Sequence, residues 1–421
     1  MDILKKHNKT FIFIGLLLYK LALDLSYILF VNPKFSYVRF NLNFSLYKYI
    51  LATIVFVLLY FLLPDDKKRP SAVIQQIHFI LIFIPMISIY PMMNFDTYFF
   101  VLAMGVFALE CILLNHLPNV RIPKIKNNGW LLYGILGAVT AFTFFSMIRA
   151  NGFPSLAAIN LNDVYGIRAN LKFPFLMGYL VPWQSKVINP FFIAAAYKKE
   201  NKLLLILSVG LQFFLFLITA EKAALFIPVV IIFVMWAVRK FNFIDVASFL
   251  LPFGIFFLTI FTYFTNKIEI ASLFIRRLLF LPAQIKFYWY EFFSQNPLIL
   301  YSQGIIGKIF GIRNPYPVDA AKVIGDKIYG APNMHSNAGY IADAYGNGGT
   351  IGVIAIGIIF VLLLKIIDSL SIDISNEFVI GLIIFHVISL NDGSLVTAMI
   401  TGGLLPLILI LWLYSSEKRL D

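Results

Sequence analysis

Apolar runs of about 20 residues, broken by short polar turns, recur along nearly the whole chain, and this is the length a helix needs to cross a hydrocarbon core. They fall near residues 10–31, 46–63, 73–91, 97–117, 129–148, 173–196, 203–219, 223–238, 244–265, 349–367, 378–391 and 395–414. With 60% hydrophobic residues, 13% charged residues and 44 phenylalanines, the chain has too little polar surface to cover a water-facing domain. The reading is an all-α polytopic membrane protein with about 12 transmembrane helices, because backbone groups in lipid must be satisfied within each span. Its organisation reads as N-terminal helices at 1–265, a large outer segment at 266–348 and C-terminal helices at 349–421.

Lys5, Lys6 and Lys9 precede the first run as in a signal peptide. The run is too long and no small-residue cleavage site follows, so it reads as a retained anchor. The single cysteine, Cys111, lies inside the fourth run, which excludes an internal disulfide and a cysteine metal cluster.

Basic residues in the connections set the expected orientation. With the N-terminus in the cytoplasm, Lys67, Lys68, Arg69, Arg121, Lys124, Lys126, Lys198, Lys199, Lys202, Arg239, Lys240, Lys365, Lys418 and Arg419 all fall on the inner side. The short outer turns at 92–96 and 391–394 then carry no lysine or arginine. Both termini are expected inside a cytoplasmic (inner) membrane. Three long outer connections, at about 32–45, 149–172 and 266–348, depart from the bias by carrying basic residues. As a group these suggest an anionic ligand outside, although long loops translocate regardless of charge.

Within the third, residues 269–293 alternate apolar and basic positions, and Pro282 opens the aromatic run Phe287, Tyr288, Trp289, Tyr290, Phe292 and Phe293. That pattern predicts short amphipathic helices at the outer interface, their aromatics anchored among headgroups in preference to stacking on sugars. From 296 to 330, prolines and glycines point to irregular, exposed chain.

Ionisable groups inside spans are functional candidates by default. Lys20 and Asp24 stand four apart and can neutralise each other on one helix face. His78, Glu110, Lys186 and His386 have no visible partner in sequence and are candidates for lining a polar cavity or relaying protons. At Thr219, Ala220, Glu221 and Lys222 two runs meet in a very short outer turn, where a lysine can meet a lipid phosphate or simply mark the helix boundary.

The most distinctive polar cluster runs from Asn333 through His335, Ser336, Asn337, Asp343, Tyr345 and Gly346 to Gly349, at the mouth of the apolar run 349–367. His335 and Ser336, nine residues, Gly346, two residues and Gly349 resemble the pattern of the O-antigen polymerase (Wzy) and O-antigen ligase superfamily. Residues 337–348 look especially like the polymerases, and Thr219, Ala220, Glu221, Lys222 and Ala223 are similar to a second family element that often has arginine where Lys222 stands.

The resemblance implies a glycosyltransferase of the GT-C type at the outer membrane face. Its donor would be a glycan on undecaprenyl pyrophosphate and its acceptor a repeat unit on the same carrier, with undecaprenyl pyrophosphate released at each transfer. Beyond those substrates and membrane lipids, a chain-length regulator is the expected partner, and no nucleic acid is expected.

Such chemistry needs cations for the leaving phosphates and one base for the attacking hydroxyl. His335 is the candidate base, with Asn333 as cap of a helix beginning beside it, whose N-terminus would keep the imidazole neutral. Arg168 is the first choice for the pyrophosphate, because guanidinium meets phosphate oxygens in pairs; Arg149, Lys222, Arg276, Arg277 and Arg313 are further choices. Asp163 and Asp343 are candidates for orienting an arginine or a sugar hydroxyl, or for turn and cap positions. No Asp-x-Asp pair for a divalent ion is seen, so the expected reaction uses no metal and no cofactor. A ligase acting on lipid A core shares this chemistry; a lipid-linked oligosaccharide flippase or other transporter is the rival class, and no internal repeat is evident to support it.

Overall fold

The computed structural model describes residues 9–66, 69–120, 122–123, 129–154, 159 and 164–414. Of the residues discussed above, Lys5, Lys6, Lys67, Lys68, Arg121, Lys124, Lys126, Asp163, Lys418 and Arg419 lie outside the described residues.

Among the described residues every regular element is a helix. Eight are long and apolar enough to cross a membrane: Lys9–Val38, Pro70–Met92, Thr97–His116, Gly129–Asn151, Lys202–Thr219, Lys222–Lys240, Phe243–Thr265 and Gly339–Leu370. The chain is therefore a multi-pass membrane protein. The expected runs at 46–63 and 378–391 form the shorter apolar helices Leu46–Leu62 and Asn376–Ser389. The last run divides into Leu395–Met399 and Leu404–Leu413, parted by Gly403 at φ 93°, where an added Cβ would lie 2.6 Å from Val187. Residues 177–198 are continuously helical although Pro182, Lys186 and Asn189 interrupt their apolar character.

Helix ends follow local chemistry. Asp96 and Asn201 cap the helices that follow them, accepting hydrogen bonds from Phe99 N and Leu204 N at 3.0 Å each. Lys202–Thr219 ends on Ala220, and Phe243–Thr265 on Asn266, both left-handed. The Lys20–Asp24 pair is structural, as its spacing suggested: the ions meet at 2.6 Å, and Asp24 also accepts from Tyr49 and Ser88. Three helices are thereby tied through one buried carboxylate, whose charge in an apolar interior needs such company.

The connections expected outside gather at one end of the bundle. There Asn43 N donates to Met92 O at 2.8 Å, Gln284 Nε2 to Arg39 O at 3.0 Å and Tyr340 N to Leu390 O at 3.3 Å. At the other end Ser71 Oγ donates to Asp368 at 2.6 Å, and Lys365 Nζ reaches Leu117 O and Asn119.

The segment 266–348 corrects one expectation. Leu281–Phe293 does not lie among headgroups: Phe287, Tyr288, Trp289 and Phe293 are buried in the main core. Phe287 stacks on Phe95 with ring centres 4.4 Å apart, and Tyr290 on Phe99 at 5.0 Å. Offset ring packing against the Thr97–His116 helix buries more apolar area than a headgroup position would. Residues 296–330 also hold two short helices, Ile305–Phe310 and Ala320–Tyr329, within the irregular chain that the prolines and glycines announced.

Candidate functional site

The Gly339–Leu370 helix is broken. Gly348 (φ −138°, ψ 15°) and Gly349 (φ 58°, ψ −148°) are non-helical, so residues 339–347 form one helical piece and residues from 350 onward another. Gly349 occupies a backbone region open essentially to glycine alone. Gly346 is needed for a different reason: a Cβ there would sit 3.0 Å from the Trp289 ring and 3.1 Å from Phe293. Both motif glycines thus have a physical cause.

The break frees carbonyls that cannot be left bare in an apolar interior. Residues 299–301 supply the donors: Ile299 N bonds Gly346 O at 2.8 Å, Leu300 N bonds Asn347 O at 3.2 Å, and Tyr301 N bonds Asn347 Oδ1 at 2.8 Å. Asn347 also donates to Asp343 O at 2.9 Å, so its amide oxygen holds the loop while its amide nitrogen holds the helical piece.

The helix begins at Gly339, four positions after His335, and Asn333 caps nothing. This corrects the expectation that a helix N-terminus beside His335 holds the imidazole neutral. Gly339 (φ 73°) is pressed against the turn after Asn376–Ser389, where an added Cβ would lie 2.5 Å from Asn391 O. Residues 331–338 form a strap without regular structure, opening on a turn at Pro332 and Asn333. Ser336 is pinned within it, its N donating to Ala321 O at 3.0 Å and its O accepting from Trp289 Nε1 at 2.8 Å.

His335 stands exposed in this strap and, among the described residues, makes no hydrogen bond. It borders a cavity of about 430 Å³, whose walls also include Tyr301, Asn337, Asp343, Asn347, Asp392 and Thr397. Asp319 completes the ionisable lining. That volume is within the range of small-ligand sites, about 300–1,000 Å³.

Of the expected site residues, the structure brings His335, Asn337 and Asp343 to one cavity. Asp343 is neither a cap nor a turn residue; it lies in the helical piece before the break. Tyr345 packs instead against Tyr290, ring centres 4.9 Å apart. None of the six expected phosphate-binding cations lines this cavity. Arg149, Arg168, Arg277 and Arg313 are exposed elsewhere, while Lys222 and Arg276 are half-buried. The Val164–Asn170 helix carrying Arg168 packs through Ile167 on the cluster formed by Phe216, Ala220 and Ala224, which places it against the turn before Lys222. Arg276 donates to Ser272 Oγ at 3.0 Å and lies 4.4 Å over the Phe35 ring.

The intramembrane groups have partners the sequence did not reveal. Glu110 accepts from Gln75 at 3.0 Å and from Tyr340 at 3.2 Å. His78 Nε2 lies 3.2 Å from Val387 O, with its ring stacked 5.2 Å from Phe360. His386 Nε2 lies 3.1 Å from Gly402 O. None of these three lines the cavity, and neither does the half-buried Lys186.

Sequence reasoning counted Lys286 only among the basic residues of the outer segment 266–348, as part of a group suited to an anionic ligand, and passed over Asp392. The fully buried Lys286 amine donates to Asn391 O at 2.6 Å, Asn391 Oδ1 at 3.0 Å and Pro282 O at 3.2 Å. Asn391 in turn donates to Leu278 O at 2.8 Å. The lysine so fixes the turn that presents Asp392 to the cavity and seats Gly339. Burial pushes the Lys286 amine down to about 7, opposed by the nearby Asp392. Asp392 is exposed toward the cavity, yet the protein packed around it raises its carboxyl above the ordinary range, against the pull of Lys286. A cue existed in the acidic residue of the turn 391–394, but a count of lysine and arginine alone ignores it.

No family model, curated protein or solved structure matches this chain. Its functional reading therefore rests on its own residues.

Proposed function

We propose that the protein is a membrane glycosyltransferase of the oligosaccharide repeat-unit polymerase kind, GT-C in type. It has about 12 passes, with both termini in the cytoplasm and the His335 end facing outward from the cytoplasmic membrane. The observation that carries this reading is an exposed imidazole on the wall of a polar cavity at a glycine break in an apolar helix, with each motif glycine answering a local geometric need.

In the proposed reaction His335 takes the proton of an acceptor hydroxyl as its oxygen attacks the donor's anomeric carbon. The bond from that carbon to the pyrophosphate oxygen breaks and the diphosphate leaves; arginine and lysine side chains, Arg168 foremost, hold the carrier's phosphates throughout, before and after the break. Positioned general bases contribute about 10²–10⁴-fold to such steps. Because the six cations lie off the cavity, the phosphates are placed outside it and the acceptor sugar within.

Transport is the second reading. It is favoured by a cavity of about 520 Å³ at the opposite end, bordered by Arg69, Asn119, Asn242 and Asp368. The buried layer of His78, Tyr340 and Phe360 argues against an open path toward it.

Incubation of the purified protein with lipid-linked repeat unit alone, followed by gel separation, tests the proposal. A ladder of products supports polymerisation. Intact substrate with no ladder, alongside movement of that substrate across a vesicle bilayer, would leave transport in its place.

A further inference from the structure

The walls of the His335 cavity are unlike those a diphosphate requires. Its ionisable residues are Asp319, His335, Asp343 and Asp392, and neither lysine nor arginine borders it. An anion entering it would lose water without gaining a lysine or arginine counter-charge, and would face carboxyl groups on several sides. The carboxylates do not converge on a point either: among the described residues, no three His, Cys, Asp or Glu side chains are grouped closely enough to hold a metal ion. They are carried on separate segments, Asp319 before Ala320–Tyr329, Asp343 in the piece before the helix break, and Asp392 in the turn held by Lys286.

Set apart in this way, they suit a ligand with donors spread around its rim. Sugar hydroxyls are such donors, and each carboxylate oxygen accepts from them. Trp289 also borders the cavity, with its N–H committed to Ser336 O. Asn347 is tied at both its amide oxygen and its amide nitrogen, so the three carboxyl groups are the acidic acceptors in the walls, beside the neutral Tyr301, Asn337 and Thr397.

We infer that this cavity is a saccharide subsite for a non-acidic sugar, neutral or bearing a free amine, and that it excludes uronates and the carrier's diphosphate. Its role as the acceptor subsite rests on the transfer reaction proposed above; its ligand preference does not.

The test uses the full-length protein in detergent, titrated by calorimetry or ligand-observed NMR with an N-acetylglucosamine tetramer, its de-N-acetylated counterpart, a tetragalacturonate and inorganic pyrophosphate. The expected result is that both non-acidic tetramers bind at least about tenfold more tightly than the uronate, the amine form tightest, and that pyrophosphate does not displace them. The Asp343→Asn, Asp392→Asn double variant removes the advantage of the amine form. Asp319→Asn, a change at an exposed position, reduces it in part and keeps the test decisive if the double variant does not fold. Uronate binding as tight as the neutral sugar, displacement by pyrophosphate, or no saccharide binding at all overturns the inference. A preserved ranking with no product ladder refutes the transfer reaction and leaves the subsite standing. A ladder built by a protein that prefers uronates does the reverse.

Discussion

The strap and cavity around His335 and the surface around Arg168 are built by opposite rules. Around His335, groups are fixed: the helix break is stitched by three hydrogen bonds from residues 299–301, Ser336 is held on both sides of its peptide unit, and Lys286 locks the facing turn. Around Arg168, a seven-residue helix rests on a small apolar cluster and presents its guanidinium to the surroundings. Rigid placement suits a proton acceptor, whose geometry must be kept to fractions of an ångström. Loose, exposed cations suit an early grip on a lipid headgroup, where attraction over distance matters more than angle.

The division is easiest to break at His335. His335→Ala should lower the polymerisation rate about 10²–10⁴-fold with insertion intact, read from ladder formation; normal turnover would move the base elsewhere. Gly349→Ala comes next. Its added methyl has room, with only Leu298 at 3.6 Å, so the cost is backbone strain of about 1–3 kcal/mol, visible as a lower thermal midpoint. An unchanged midpoint would mean that the break is soft.

Lys286→Met leaves Asn391 O and Oδ1 without their donor, at about 1–3 kcal/mol, and alters the pH profile. The folded-state amine near 7 lies below the ordinary lysine value of about 10.4, so between those limits the unfolded chain binds the additional proton. Wild type should therefore gain thermal stability as pH rises through that window, whereas below about 7 it bears the full burden of a buried ammonium. The variant should show a flatter profile, and parallel profiles would refute the assignment. Smallest in effect, Arg168→Ala should raise KM for the lipid-linked substrate about tenfold while kcat stays within about threefold, as expected for a grip that is equal in ground and transition states. An equal fall in kcat would place Arg168 at the reacting bond and erase the contrast between the regions.

Membrane class and helix placement were legible because hydropathy over 20 residues is a strong signal, and the run 349–367 begins at the glycine break itself. The helical piece before the break was not legible: Asp343, Asn347 and two glycines disguise residues 339–347 as loop, and tertiary cover by Trp289 and the 299–301 segment helps to stabilise them. Aromatic residues 287–293 misled for a related reason, since interface anchors and core rings have the same composition and differ only in what they meet. His335 was singled out through its spacing to Gly346 and Gly349. Lys286 and Asp392 carry no such spacing; they are 106 positions apart and become neighbours only in the fold.

The stitch between residues 299–301 and the carbonyls of Gly346 and Asn347 also constrains how the protein is made. Synthesis delivers Ile299 well before Gly346, so the earlier segment must wait, its amides in water, until the glycine pair has emerged and the following helix has entered the bilayer. Assembly of the pocket is thus a late event, completed only when the turn 391–394 arrives, and a chain cut short before it would lack Asn391, against which Gly339 is seated.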